Sequence, residues 1–490
     1  MADESIQCHD DTSTCDTVSS LTVPIVFVPG VMGSRLDIIQ GRTWDPDDST
    51  AMATWISLTD ASVQKTRRAL RASGSGAPGT AAKVKNTLYH SSVFTDPIDQ
   101  VFGASRCRAI GKLATGKDEK PSIGVFYGTH RNWGSVNWGF YGSLLMYLES
   151  QLNAHDDDPH FPVFACGYDW RQSNTISGRQ INAFLRKVLN QYKAVASNVI
   201  VITHSMGGLA VRAGIQADPG ITSSIRGVIH GLQPSLGAVT CYRRFLTGAS
   251  APADKDGIGP DYVLNKIMGN TGARYAYNLS GCAGPLQLLP NHLFSSCAGS
   301  WLQGLDGSYD LSAIYTIYRQ INVPGIAGIT AGGEEQSGTT QEKKSRSVRA
   351  DFAFNIKGAE AFHQALERTA HPRTYVLYST GLRTDHSIEF QNLFGSISAP
   401  DSRPKVQWQV EGVDGADLTD LWNEVVYHRR PDGDGTVPEA SAQCPTLMPL
   451  PLAEPAAAAR PLEHAAAYGD AAFQALTLSF IHRLLTASST

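Results

Sequence analysis

No apolar run in this chain of 490 residues reaches the length of about 18 residues that a membrane-spanning helix needs. The amino-terminal stretch, MADESIQCHDDTSTCD, also lacks the basic and apolar segments of a secretory signal peptide. The sequence therefore predicts synthesis as a soluble cytoplasmic chain. Any export would need a route that does not depend on a cleaved signal.

An excess of positive charge is absent too. The formal net charge is −4 and the isoelectric point is near 6.4, so the chain lacks the basic field that binding to phosphate groups requires. We therefore expect no nucleic-acid partner.

The eight cysteines form no C-x-x-C pair and no zinc-binding pattern with histidine, so no metal or other cofactor is predicted. Cys8 with Cys15, and Cys282 with Cys297, are close enough to form disulfides in an oxidising compartment, and free thiols are the alternative. The run Asp156 to Asp158 is interpreted as a solvated acidic loop, because no second group of oxygen ligands accompanies it to bind calcium.

Strands and helices alternate along much of the chain, which predicts an α/β fold with a mostly parallel central sheet flanked by helices. The core is expected over residues 21–232 and 373–490, with a polar tail at 1–20 and a surface excursion at about 41–120. Predicted core elements are the strands Leu21–Gly33, Val163–Gly167, Ile225–Gly231 and Arg373–Thr380, and the helices Tyr141–Leu152, Ser177–Tyr192 and Ala471–Leu485.

The interval at 233–372 is far longer than one crossover helix needs, so it predicts an inserted cap or lid between two late core strands. Helices are expected at Tyr262–Met268, Leu311–Arg319 and Ala359–Thr369. Within the cap, the Gly-rich and then polar stretch Gly325–Lys344 is typical of a mobile flap or of a plain surface loop.

The sequence NVIVITHSMGGLAVR contains the strongest signal in the chain. A β-branched strand at Val199–Ile202 is followed by Ser205 and then by the first turns of a helix. Such a sharp strand-to-helix turn exposes the serine hydroxyl, and it directs the N–H of Met206 to the position where an oxyanion forms. The match to G-x-S-x-G is partial because Thr203 replaces the first glycine, and an ordinary helix N-cap is the alternative.

A serine nucleophile needs a base and an acid, which in this kind of fold follow it in the order acid, then histidine. The turn RPDGDGTVP offers Asp434, with Asp432 as the competing acid. His464, in the loop before the last helix, is the predicted base, whereas His428 and His482 are interpreted as structural.

The glycyl turn after the first strand, VPGVMG, supplies a second oxyanion donor. Val31 is the predicted donor and Met32 the alternative. A simple turn without this function is the competing interpretation.

Five motifs in one order resemble the lecithin:cholesterol acyltransferase-like branch of the α/β-hydrolases. They are VPIVFVPGVMGSRL at Val23–Leu36, GYDWR at Gly167–Arg171, THSMGG at Thr203–Gly208, YSTG at Tyr378–Gly381, and DGDGTVP at Asp432–Pro438. The resemblance covers the first core strand and the chain from about Tyr141 onward, with the cap matched weakly around Leu288–Pro290. It implies an α/β-hydrolase fold, a triad of Ser205, Asp434 and His464, oxyanion donors at Val31 and Met206, and lipid acyl esters as substrates.

The GYDWR motif is interpreted as structural, with a charged pair and an aromatic wedge below the site. Trp170 in this motif and Met32 are also expected to contact the acyl chain of a substrate. A membrane-contact surface is one interpretation of the other tryptophans, but burial in the core is favoured. These tryptophans are Trp44, Trp55 and Trp301.

Four functions are compatible with these features. The first is a serine lipid-ester hydrolase, that is, a lipase or phospholipase, and the second is an acyltransferase that uses an alcohol acceptor. The third is a bacterial antagonistic lipase effector, which would need an immunity protein and a secretion carrier, and the fourth is a catalytically silent lipid-binding protein. Contact with a lipid surface or peripheral membrane is compatible with each of them.

Overall fold

The central element of the structure, a computed structural model, is a six-stranded sheet in which all strands are parallel, in the order β13-β10-β7-β6-β1-β5. The strands are β1 Ile25–Val28, β2 Leu36–Ile38, β3 Arg42–Trp44, β4 Ala82–Val84, β5 Val163–Ala165, β6 Val199–His204, β7 Ile225–Gly231, β8 Leu302–Gly304, β9 Gly307–Ser308, β10 Thr374–Tyr378, β11 Leu382–Asn392, β12 Asn423–Gly433 and β13 Pro455–Ala457. The structure describes residues 22–38, 42–72, 80–86, 130–153, 161–249, 260–304, 307–308, 314–320, 338–392, 423–444 and 455–487.

Helices cover the sheet and fill the connections between its strands. They are α1 Ser49–Ala61, α2 Val63–Leu70, α3 Trp138–Leu152, α4 Asn174–Gln191, α5 Met206–Ala217, α6 Val239–Thr247, α7 Pro260–Met268, α8 Gly272–Leu279, α9 Ala283–Leu286, α10 Phe294–Ala298, α11 Ile314–Gln320, α12 Gly338–Leu366, α13 Glu439–Ala442 and α14 Ala471–Thr486.

The strands alternate their side chains between two apolar layers, as the period of two in an extended chain requires. On β6, Val199 and Val201 belong to the larger cluster, whereas Ile200 and Ile202 belong to the second cluster. Helices α4 and α5 pack on the first face, and α3 and α14 pack on the second. Because both faces are buried, the central strands are largely apolar, as β1 and most of β6 show, and polar residues such as Thr203 and His204 lie only at the carboxyl end of β6. The parallel sheet flanked by helices confirms the predicted α/β-hydrolase fold.

Parallel pairing brings the carboxyl ends of the central strands to one edge. β1 lies between β5 and β6, with Val26 opposite Phe164 and Val201. β6 continues the sheet toward β7, where Thr203 lies opposite His230. The loop after β1 and the turn after β6 are therefore neighbours at the same edge, although more than 150 residues separate them in sequence.

A second, four-stranded sheet was not predicted from the sequence. Its order is β12-β11-β8-β9, and the long strands β11 and β12 pair antiparallel with two register shifts. Strand β12 ends at Gly433, so the predicted acid turn lies at the end of this sheet. β8 belongs to the region between β7 and β10, and it pairs in parallel with β11.

The inserted region contains the helices that were expected, with different lengths. The predicted helices Tyr262–Met268 and Leu311–Arg319 correspond to α7 and α11. The predicted helix Ala359–Thr369 is only the end of α12, a helix of 29 residues. Of the predicted flap at Gly325–Lys344, residues 338–344 form the start of α12, which corrects the prediction for this part, and the remainder lies outside the described residues.

The described part of the predicted surface excursion packs against the core. Its strands β3 and β4 pair with β2 of the core segment in the sheet β3-β2-β4, and Trp44 makes an edge contact with Trp170 at a centroid distance of 5.4 Å. Trp55 and Trp301 are also buried, so the interpretation of these tryptophans as core residues is confirmed.

The structure describes only some of the cysteines and acidic residues on which predictions were made. Cys282 is buried and Cys297 is exposed, and both are free thiols. The pair Cys8 and Cys15, the tail at 1–20 and the acidic run at 156–158 lie outside the described residues. Within the described residues, no helix is long and apolar enough to cross a membrane, and no three His, Cys, Asp or Glu side chains are grouped to hold a metal.

Candidate active site

The turn after β6 has the strained geometry that the sequence predicts. Ser205 has φ 52° and ψ −126°, a positive φ that is unusual for any residue other than glycine, and α5 begins at the next residue. A Cβ at Gly207 would lie 2.4 Å from the carbonyl oxygen of Pro29, and a Cβ at Gly208 would lie 2.3 Å from Oε1 of Gln233. At Gly207 the obstacle is backbone, so only glycine allows the start of α5 to approach the end of β1 so closely.

Thr203, which replaces the first glycine of the usual elbow motif, has a structural partner. Its Oγ1 lies 2.9 Å from Nδ1 of His230 on the neighbouring strand β7. Burial lowers the pKa of His230 to about 3, so this imidazole is neutral. The threonine therefore joins two central strands below the serine and removes no group from the site.

Three side chains that are far apart in sequence meet at the carboxyl edge of the sheet. Nε2 of His464 lies 2.8 Å from Oγ of Ser205, and Nδ1 of His464 lies 2.6 Å from Oδ2 of Asp434. A carboxylate only accepts hydrogen bonds, so Nδ1 carries the proton and the lone pair of Nε2 faces the serine hydroxyl. In this tautomer the imidazole can receive a proton from Ser205.

Asp434 is held by the turn on which it lies. Its Oδ1 accepts hydrogen bonds from the backbone N–H groups of Thr436 and Val437, at 3.0 and 2.7 Å, and its side chain is fully buried. The competing residue Asp432 lies 3.2 Å from His386 instead. The structure thus brings Asp434, and not Asp432, to His464.

The YSTG motif supports the loop that carries the imidazole. Oγ of Ser379 accepts a hydrogen bond from the N–H of Leu462 at 2.8 Å, and its hydroxyl donates to the carbonyl of the same residue at 3.0 Å. The N–H of His464 donates to the backbone carbonyl of Asp434 at 3.0 Å. The residue directly after β10 therefore fixes the base loop, and the base loop is hydrogen-bonded directly to the acid turn.

The glycyl turn after β1 lies against the serine. A Cβ at Gly30 would lie 2.9 Å from Cβ of Ser205, so this position tolerates only glycine. The turn is closed by a hydrogen bond of 3.1 Å from the N–H of Gly33 to the carbonyl of Gly30. The predicted donors Val31 and Met206 lie on the two segments that meet here, and Met206, as the first residue of α5, has an N–H without an intrahelical acceptor.

The GYDWR motif forms a buried ion pair below this turn. Nε and Nη2 of Arg171 lie 2.8 Å from the two carboxylate oxygens of Asp169, and the guanidinium also donates to the carbonyls of Ala69 and Thr80. The pair therefore joins the surface excursion to the core. Trp170 is fully buried, and Met32 is half-buried with its carbonyl 3.1 Å from Nε1 of Trp44.

Two further residues, His204 and Tyr141, adjoin the site, and no sequence motif predicted a role for either. Nδ1 of His204 lies 2.9 Å from the hydroxyl of Tyr141, and Nε2 of His204 lies 3.0 Å from the backbone carbonyl of His464. The two side chains come from β6 and α3, so no local spacing in the sequence indicates their contact. Only the position of His204 directly before the serine provides a signal.

The fold and the Ser–His–Asp geometry define an α/β-hydrolase with a serine-centred site. The sequence model of the family described as lecithin:cholesterol acyltransferase matches residues 158–446, more than half of the chain. The chain therefore belongs to the lecithin:cholesterol acyltransferase family.

Two further comparisons concern a short segment and the whole fold. A segment of 80 residues is 36% identical to the uncharacterized protein YJR098C of Saccharomyces cerevisiae, and it covers 16% of this chain and 12% of the yeast protein. The crystal structure of the Tle4-Tli4 complex contains a chain that is similar with a TM-score of 0.64 and 19% identity, over 96% of this chain and 99% of that chain. At this identity the structural likeness concerns the fold.

Proposed function

We propose that this protein is a serine lipid-ester hydrolase, a lipase or phospholipase. The observation that carries the proposal is the pair of hydrogen bonds at 2.8 and 2.6 Å that joins Ser205 to His464 and His464 to Asp434 on a strained elbow. Membership of the family supports lipid acyl esters as the substrate class.

In the proposed mechanism the hydroxyl of Ser205 attacks the ester carbonyl while Nε2 of His464 takes its proton. Asp434 holds the imidazole in the correct tautomer and stabilises the imidazolium. The backbone N–H groups of Val31 and Met206 stabilise the tetrahedral oxyanion. His464 then gives its proton to the leaving alcohol, and water, activated by the same imidazole, releases the acid from the acyl-enzyme.

Met32, which is half-buried next to the serine turn, is the proposed contact of the acyl chain. Trp170 was the other expected contact, but its side chain is fully buried against Trp44, so its proposed role is to support the site from below. The helices between β7 and β10 are the proposed cap over the site that binds the acyl chain. A contact with a lipid surface follows from the substrate class, since phospholipids are presented in bilayers or micelles.

The test is hydrolysis of p-nitrophenyl esters with medium and long acyl chains, and of phospholipids, by the purified full-length protein. We expect Ser205→Ala to lower kcat by about 10⁴-fold or more and to abolish labelling by a fluorophosphonate probe. Ser197→Ala, at an exposed serine outside the site, is the matched control and should retain both. Undiminished turnover in Ser205→Ala would reject the assignment, and an unlabelled wild-type protein would favour a silent lipid-binding function.

Acyl transfer to an alcohol is the second candidate function, and the observation that favours it is the family match. The same acyl-enzyme reacts with water or with an acceptor hydroxyl, so the two functions differ only in what reaches the acyl-enzyme. A phospholipid labelled in its acyl chain, incubated with glycerol or a sterol, separates them by product. Free fatty acid alone supports the hydrolase, and a labelled new ester supports the transferase.

A role as an antagonistic effector with a dedicated partner is also proposed, because one similar solved structure is that of the Tle4-Tli4 complex. The proposal includes an inhibitory immunity protein and a secretion carrier. Expression directed to the periplasm of a susceptible bacterium should be toxic for the wild type and harmless for Ser205→Ala. If an enzyme that is active in vitro proved harmless in the periplasm, the effector role would be rejected and the hydrolase would stand.

A further inference from the structure

His204, the residue directly before the serine, is buried and contacts two loops of the site. One ring nitrogen, Nε2, lies 3.0 Å from the backbone carbonyl of His464. The other, Nδ1, lies 2.9 Å from the hydroxyl of Tyr141, and the oxygen of that hydroxyl lies 3.2 Å from the N–H of Gly30. Three consecutive hydrogen bonds therefore connect Gly30, in the turn after β1, to the loop that carries His464.

The direction of each hydrogen bond follows from the chemistry of the groups. A carbonyl only accepts, so Nε2 of His204 carries a proton. Burial lowers the pKa of His204 well below its usual value, so the ring is neutral and Nδ1 is an acceptor. Burial also raises the pKa of Tyr141, which keeps its proton and donates it to Nδ1. The oxygen of Tyr141 then accepts from Gly30.

We propose that His204 is a positioning residue that holds the glycyl turn after β1 and the loop of the base in register with Ser205. It does so through Tyr141 on one side and through the carbonyl of His464 on the other. The inference rests on the proposed function and names a determinant of its rate. His204 itself touches no reacting atom.

The charge of His204 fits this role. Its ring packs against the ring of His464 at a centroid distance of 4.9 Å. The titratable groups that face it in the described part of the chain are Tyr141, Tyr468 and His464. During acyl transfer His464 becomes an imidazolium, and a second cation at this distance would oppose its formation. A neutral imidazole supplies the two hydrogen bonds without this repulsion.

The first test compares His204→Phe, which keeps a ring and loses both nitrogens, with Tyr141→Phe, which loses one oxygen. We expect kcat on a soluble p-nitrophenyl ester to fall about 10- to 100-fold in His204→Phe and about 3- to 10-fold in Tyr141→Phe. KM should change by less than about twofold, because the proposed role concerns the alignment of reacting groups rather than the binding of substrate. If thermal melting shows that His204→Phe is not folded, the kcat of Tyr141→Phe tests the positioning role.

Tyr468→Phe is the matched control. Its hydroxyl is also buried beside His204, but it donates to the carbonyl of Thr203 at 3.0 Å and lies outside the chain of hydrogen bonds. We expect its kcat within about twofold of the wild type, with a lower melting temperature. His204→Gln, which retains an N–H donor for the carbonyl of His464, should be at least about threefold faster than His204→Phe.

The outcomes separate the two proposals. An active wild type with kcat unchanged in both His204→Phe and Tyr141→Phe would overturn the positioning role and leave the hydrolase intact. An equal loss of kcat in Tyr468→Phe would overturn it as well, because any lost buried hydroxyl would then have the same effect. A wild-type protein that neither hydrolyses esters nor reacts with a fluorophosphonate would overturn both.

Discussion

The central sheet and the helices inserted between β7 and β10 each bury a histidine. In both regions the imidazole has the same two kinds of hydrogen-bond partner, a tyrosine hydroxyl and a backbone carbonyl. His204 lies between the hydroxyl of Tyr141 and a backbone carbonyl. His363, on α12, lies between the hydroxyl of Tyr315 at 2.7 Å and the carbonyl of Gln287 at 2.9 Å. The first joins two loops that flank a serine, and the second joins three segments of the inserted region.

The difference between the two sites lies in what the hydrogen bonds restrain. Around His204, the restrained segments carry the groups that are proposed to react. Around His363, they are helices α11 and α12 and the turn after α9, which are packed with aromatic rings. The same arrangement of donor and acceptor therefore predicts a loss of rate in one region and a loss of stability in the other.

Buried ion pairs also attach the inserted helices to their neighbours. Asp351 on α12 pairs with Arg67 and Arg71, and the fully buried Asp385 on β11 lies 2.7 Å from Arg243. Removing one partner from such a pair leaves an unpaired buried charge, which is strongly destabilising. The inserted region is consequently fastened to the excursion and to the second sheet by groups outside the site.

After Ser205→Ala, the largest effect should follow from Asp434→Asn in the core. The amide would permit the wrong tautomer of His464, so we expect kcat to fall about 10³- to 10⁴-fold with little change in stability. Steady-state kinetics and thermal melting measure both. Asp432→Asn, at the neighbouring carboxylate that faces His386, is the control and should remain within about twofold of the wild type. A reversed order of the two variants would contradict the assignment of the acid.

In the inserted region, His363→Ala should lower the free energy of unfolding by about 3 kcal/mol, because it removes a buried ring and leaves the hydroxyl of Tyr315 and the carbonyl of Gln287 without it. Its kcat on a soluble ester should stay within about threefold of the wild type. Urea denaturation and steady-state kinetics test the two statements. A loss of kcat as large as that expected for His204→Phe would remove the distinction between the two regions.

The pH dependence of stability should reveal the neutral state of His363. Burial lowers the pKa of His363 from 6.5 to about 4, and Arg212 and His292 nearby also disfavour the charged ring. The unfolded chain then binds the proton more readily, so this stabilisation is complete above about pH 6.5 and is lost as the pH falls toward 4. Between about pH 7.5 and 5 the contribution should decrease by about 2 kcal/mol.

The matched variant for this measurement is His363→Gln, which cannot titrate. Urea denaturation at pH 7.5 and at pH 5 gives the loss of unfolding free energy between the two pH values for each protein. This loss should be about 2 kcal/mol smaller in His363→Gln than in the wild type. His230 and His204 titrate in both proteins in the same direction, so their effects cancel in the difference. Equal pH dependence in the two proteins would show that His363 is not held neutral.

The smallest effect is expected from Thr203→Val at the elbow. This change keeps the shape of the side chain and removes the partner of Nδ1 of His230. We expect the free energy of unfolding to fall by about 1 kcal/mol and kcat to remain within about threefold, because the threonine joins strands and lies outside the reacting groups. A large loss of kcat would mean that the departure from the glycine of the usual elbow motif matters for the reaction.

Much of the fold was predictable because it depends on local patterns. The buried strands β1, β6 and β7 appear as apolar, β-branched runs, and β7 was predicted with the observed bounds. The second sheet was not predicted, because β11 and β12 are largely polar and their pairing joins segments that are 30 or more residues apart. Antiparallel strands with one solvent-exposed face are hard to predict from the sequence when many of their residues are charged.

The candidate site was predictable in its residues and their order. Ser205, Asp434 and His464 lie on motifs with a recognisable local form, namely an elbow, an acidic turn and a loop before the last helix. Their catalytic roles remain predictions that the variants above test. The contact of Tyr141 with His204 was not predictable, because α3 and β6 meet only when the sheet is assembled.

The sequence by itself determined the buried strands of the central sheet and which side chains could serve as nucleophile, acid and base, because these depend on apolar runs and on residue chemistry along short stretches. Only the tertiary structure decided which carboxylate faces His464 and which buried rings hold the loops. Asp432 and Asp434 differ by two positions in one turn, and a hydrogen bond of less than 3 Å selects one of them only after the acid turn and the base loop have come together.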